Sequence, residues 1–116
     1  MRFAILTTTN SKFIAEDMGE SDQSLNRIMQ AIADATRRRI LQALKERGGC
    51  SIGKEIGLCA CDIEQRIHLS QPTISHHMSV LKRAGLVEAR KHGQWIVYRR
   101  NEKAIGDLAR ALRETL

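Results

Sequence analysis

The chemistry open to this sequence is concentrated in three cysteines and one run of small polar residues. Cys59 and Cys61 are one residue apart, and Cys50 lies nine positions before Cys59 in a glycine-containing segment. A Cys-x-Cys pair can bring two sulfurs to one ion, and thiolates suit soft, thiophilic ions. The N-terminal apolar stretch ends at Thr7, short of the roughly 7–15 residues of a signal-peptide core. An odd cysteine count without such a signal disfavours a disulfide framework and favours reduced thiols or a metal site in the cytosol. The polar run is Ser70-Gln71-Pro72-Thr73-Ile74-Ser75-His76-His77. Gln71, Thr73, Ser75 and His76 can each donate or accept hydrogen bonds, which is what reading base edges in a DNA groove requires. Ser70 stands at the helix start, where exposed N–H groups favour a phosphate. His77 lies three residues after Ile74 and four before Leu81, so its ring is expected on the core side in a structural hydrogen bond. No phosphate loop, nucleophile elbow, carboxylate pair or Ser/His/Asp set has a recognisable spacing, so neither an enzyme nor a catalytic cofactor is expected.

The elements that must position these residues follow from periodicity. Residues 1–20 show no clean period and are expected to be a flexible or loosely docked extension to one domain over 21–116. Leu25, Ile28, Met29 and Ile32 recur at helical intervals and predict a helix over 22–33. Asp34 is a candidate N-cap for a second helix over 35–46. Residues 50–61 read as a connection into a short helix over 62–68, with Ile63 and Ile67 inward. Ser70 caps a fourth helix over 71–84, with Pro72 in its first turn and Gly85 at its end. From Leu86 to Arg99 the period becomes two, predicting a two-stranded β-hairpin with Gly93 in its turn. That hairpin carries Arg90, Lys91 and His92, placed to grip a DNA backbone as a wing does. Asn101 caps a last helix with an apolar stripe of Ile105, Leu108, Leu112 and Leu116. The expected fold is α+β, mainly α: a winged helix-turn-helix of about five helices and a hairpin wing. Apolar stripes at both ends, Leu25, Ile28 and Ile32 with Ile105, Leu108 and Leu112, predict a homodimer.

Composition agrees. A chain of 116 residues holds one ordinary domain, and no apolar run approaches the roughly 20 residues of a membrane helix. The formal net charge is +6. Nearly all of it lies in residues 70–101, where Lys82, Arg83, Arg90, Lys91, Arg99 and Arg100 face only Glu88. Aromatic residues are 3% of the chain, too few for a single-strand stacking platform, which leaves duplex DNA as the expected partner.

Several segments together resemble the ArsR/SmtB family of winged-helix repressors. They are Asp34-Ala35-Thr36-Arg37 with Ile40-Leu41, Leu58-Cys59-Ala60-Cys61-Asp62-Ile63, Leu69 through Met78, Leu81 through Val87, and Gly93 with Tyr98-Arg99. The resemblance implies a homodimer built on the first and last helices, bound to an inverted-repeat operator and released when an inducer ion binds. Its Cys-x-Cys-Asp resembles the inducer site of the arsenic-sensing branch, so As(III) or Sb(III) is the expected inducer at Cys59 and Cys61. Such an ion takes three sulfurs; Glu64 stands where one arsenic pattern has a third cysteine, and Cys50 is the candidate to complete the set. The related cadmium/lead branch draws cysteines from the N-terminal region, but residues 1–49 contain none. A zinc-type site on the last helix needs histidine, and residues 101–116 have none. Sensing of Cd(II), Pb(II), Zn(II) or thiol oxidation stays open, as does, in another class, a cysteine-dependent oxidoreductase or metal-detoxifying enzyme.

Overall fold

A computed structural model describes residues 20–45 and 57–116. The expected extension over residues 1–20, apart from Glu20, lies outside the described residues, as does Cys50. The described elements are α1 (Glu20–Ile32), α2 (Ala35–Ala43), β1 (Leu58–Cys59), α3 (Ala60–Ile67), α4 (Gln71–Arg83), β2 (Val87–His92), β3 (Trp95–Arg100) and α5 (Glu102–Thr115).

Local chemistry sets the helix boundaries. Asp34 has extended backbone and accepts from the Arg37 backbone N–H at 3.1 Å, satisfying one of the N–H groups that open α2. The last turn of α1 contains no basic residue. Its carbonyls are instead capped from α2: Arg37 donates to Gln30 and Ala31, and Arg38 to Ile32. α3 ends at His68, which adopts a left-handed conformation (φ 63°) and turns the chain toward α4. Asn101 caps α5 through the Ala104 N–H at 3.1 Å, and its amide also donates to the Gly85 carbonyl.

The sheet differs from expectation in one respect. Leu58 and Cys59, expected in a connection, form a third strand, and the order is β1-β3-β2, antiparallel throughout. Leu58 pairs with Tyr98 and Cys59 with Val97. A two-residue strand has too few positions to show a period, so pattern reading passes over it. Gly57 makes the pairing feasible. It has φ +107°, and a Cβ there would lie 2.5 Å from the Tyr98 carbonyl oxygen, so the chain can approach β3 only without a side chain. In the hairpin, Gly93 takes φ +61° at the turn as expected.

One core runs beneath these elements. Ile40, Leu58, Ile63, Ile74, Met78, Leu81 and Leu86 are fully buried, so α2, β1, α3 and α4 share one apolar centre. α3 packs against both α2 and α4. No helix among the described residues is long and apolar enough to cross a membrane.

Candidate metal centre and nucleic-acid interface

The candidate metal centre is built where β1 becomes α3. Cys59 is both the last residue of β1 and the N-cap of α3, so the helix begins at Ala60, two residues earlier than the spacing predicts. Its thiol is 1% exposed, whereas Cys61 is exposed to solvent. The two sulfurs lie 2.8 Å apart. Asp62, 6% exposed, accepts from the Cys59 thiol at 3.0 Å and from the Cys59 backbone N–H at 3.3 Å. The carboxylate thus stands three residues after the cap, where a capping box places its acid. Ligand atoms of Cys59, Cys61 and Asp62 all lie within 4.8 Å of one another. This S,S,O donor set fits a soft or borderline cation. Motif spacing alone leaves Asp62 out of the expected ligand set of Cys59, Cys61 and Cys50, although its capping-box spacing from Cys59 is a signal that includes it.

The candidate DNA-reading residues occupy the surface. Ser70, Gln71, Thr73, Ser75 and His76 are exposed at the start of α4, with Ser70 Oγ and Thr73 Oγ1 2.9 Å apart. Arg90 and Lys91 are exposed on β2, and His92 is half-buried beside the turn. The basic excess of this region is smaller than the count of side chains suggests. Arg99 pairs with Glu88 across the β2–β3 ladder at 2.9 Å. The Arg100 side chain is only 10% exposed; it pairs with Glu102 and donates to the Leu41 carbonyl. These two arginines tie the wing to itself and to the helical body, leaving Lys82, Arg83, Arg90 and Lys91 to carry the outward charge.

His77 holds the structural hydrogen bond expected of it. Its Nδ1 lies 3.2 Å from the Arg37 guanidinium, which has donors only, so Nδ1 is the acceptor and the proton of the neutral ring sits on Nε2. Burial of the ring pushes its pKa below the usual 6.5; neighbouring Asp34 opposes this, while Arg37 and His76 add to it. In the unfolded chain the ring titrates near its ordinary value, so between that value and the lower folded one the unfolded state binds more protons. The contribution is therefore complete above about pH 6.5 and is lost as the pH falls toward the folded pKa. Thermal melts between pH 7.5 and 5 should show a shallower acid loss in His77→Asn, whose side-chain oxygen can still accept from Arg37, than in the wild type.

The residues expected at a dimer interface are divided between inner and outer roles. Leu108 is buried within the single chain, Ile28, Ile32 and Ile105 pack against the core, and Leu25 and Leu112 are half-buried. Leu25, Ile28 and Leu108 also line a groove of about 410 Å³ between α1 and α5.

Known proteins share both sequence and fold. The model for bacterial regulatory proteins of the arsR family matches residues 34–89, from the cap of α2 into β2. An HTH-type transcriptional regulator of Methanocaldococcus jannaschii is 44% identical over 71 residues, spanning 61% of this chain and 71% of that protein. An arsenical resistance operon repressor of Staphylococcus aureus is 36% identical over 92 residues, spanning 79% of this chain and 80% of its own. The solution structure of a homodimeric winged helix-turn-helix DNA-binding domain of Mycobacterium bovis superposes with a TM-score of 0.63 at 24% identity, covering 80% of this chain and 79% of the other. The match over residues 34–89, which takes in α2, α3 and α4, together with these relatives thus places the chain in the ArsR family of winged helix-turn-helix, DNA-binding transcriptional regulators, which are not enzymes.

Proposed function

We propose that the protein is a cytosolic homodimeric repressor, bound to an inverted-repeat operator and released when As(III) or Sb(III) binds at Cys59 and Cys61, with Cys50 as third sulfur. One observation carries this reading. Cys59 is at once the end of β1, hydrogen-bonded to the wing strand β3, and the N-cap of α3, which packs on α4. When bound, the ion supplies a positive centre shared by the thiolates. To serve it, Cys59 must lose its thiol proton and its bond to Asp62, the same carboxylate that holds the Cys59 backbone N–H. A change at the sulfur therefore reaches the helix start and the strand, and through them both DNA-contacting elements. In this reading Ser70, Gln71, Thr73, Ser75 and His76 meet bases and nearby phosphates, while Arg90, Lys91 and His92 grip the backbone. Dimerisation uses the paired helices α1 and α5, with Leu25 and Leu112 the half-buried members of the set Leu25, Ile28, Ile32, Ile105, Leu108 and Leu112 that lie outside the chain's own core.

Inducer and operator then bind antagonistically, and linkage makes the effect reciprocal. Anisotropy titration of reduced protein with DNA carrying its own upstream inverted repeat should show arsenite weakening the complex about 5- to 150-fold, the usual range of such coupling. An unchanged affinity would refute the inducer assignment. A second reading rests on Asp62: a carboxylate oxygen 3.0 Å from the Cys59 sulfur makes a mixed sulfur and oxygen donor set, which Cd(II), Pb(II) or Zn(II) accepts and As(III), taking three sulfurs, does not require. Release by these ions and not by arsenite would favour it.

A further inference from the structure

A second polar site lies where α1, the start of α2 and α4 meet. A cleft of about 420 Å³ is lined by Arg27 of α1, Arg37 at the start of α2, and His76 and Arg83 of α4, with no carboxylate in its lining. Three guanidiniums around one cleft give it a positive potential that an anion would complement. Arg37 is pre-positioned. Its Nε and one terminal nitrogen donate to the Ala31 and Gln30 carbonyls, and the other terminal nitrogen meets His77, which leaves two of its five N–H groups unspent. Arg27 makes no ion pair among the described residues, and Arg83 donates only to the Ser79 hydroxyl. A planar donor fork held in place, flanked by two guanidiniums able to reorient, suits a phosphate group.

We propose that this cleft binds phosphate and thereby joins α1, which lies outside both the helix-turn-helix and the wing, to the ligand chemistry of α4. The phosphate has two possible sources: a backbone phosphate of bound DNA, or a free phosphorylated small molecule. Arg27 decides between this site and ordinary contacts of the recognition helix, because only the cleft brings it beside α4. The test uses full-length wild type, Arg27→Gln and Arg27→Lys, with retained folding checked by circular dichroism.

If the source is DNA, the slope of log affinity against log salt should become shallower by about one in Arg27→Gln, on the operator and on a scrambled duplex alike, and should be retained in Arg27→Lys. If the source is a free phosphate compound, inorganic pyrophosphate at constant ionic strength should raise the melting temperature of wild type and not of Arg27→Gln. An unchanged salt slope together with pyrophosphate shifts that do not depend on Arg27 would overturn the proposal.

Discussion

Replacing Cys59 by serine is expected to leave operator affinity near that of wild type and to remove its response to arsenite. Serine is among the best N-cap residues, and its hydroxyl can donate to Asp62 as the thiol does at 3.0 Å. The buried position therefore keeps its hydrogen bond, and the start of α3 is preserved at little cost. What is lost is the thiolate, the group with affinity for a soft ion. The ratio of operator affinities with and without arsenite, about 5 to 150 for a typical coupling, should fall to near one in anisotropy titrations. Cys61→Ser should behave likewise. Its exposed side chain contributes little to the core, so it provides the cleaner stability control. A Cys59→Ser protein that arsenite still released as readily as wild type would move the inducer site elsewhere.

The second large effect is structural. Gly57→Ala should destabilise the domain by about 2–3 kcal/mol, the upper range for a residue held in a disallowed backbone region. Two causes act together: φ is +107°, and the new Cβ would meet the Tyr98 carbonyl oxygen at 2.5 Å and a Val97 methyl at 2.8 Å. Gly85 separates them. Its φ is +78°, but a Cβ there meets nothing within 4 Å, so Gly85→Ala should cost only the left-handed strain of about 1–2 kcal/mol. Urea unfolding midpoints of the two variants measure the difference. If Gly57→Ala unfolded no more easily than Gly85→Ala, the approach of β1 to β3 would not depend on the missing side chain. Because β1 carries Cys59, the same variant should also weaken the coupling between inducer and DNA in whatever fraction remains folded.

The helices were legible because each has a repeated signal. Ile74, Met78 and Leu81 give α4 its buried stripe, and Asp34 and Asn101 are side chains whose oxygens satisfy specific N–H groups. Gly93 marked the hairpin turn for the same local reason: the turn needs a positive φ. The start of α3 was read two residues late. A cysteine is a weak capping signal, and the partner that completes this cap, Asp62, lies inside the helix it opens. β1 escaped because two residues carry no period and its partner, β3, lies almost forty positions away.

The chain's local chemistry by itself determined the order of helices and hairpin, the polar face of α4, the pairing of Cys59 with Cys61, and the family to which they belong. These depend on side chains within a few positions of one another, where spacing along the chain is spacing in space. Only the tertiary structure decided that Asp62 joins the thiols, that Cys59 is tied to the wing, that Arg99 is paired with Glu88 on the sheet surface, and that Arg100 is spent inside the fold. It also decided that Arg27 and Arg37, from a stretch nearly neutral in sequence, stand beside Arg83. Charge and coordination act through distance in three dimensions, and neither a running charge sum nor a motif spacing contains those distances until the core around Ile63, Ile74 and Leu81 has closed.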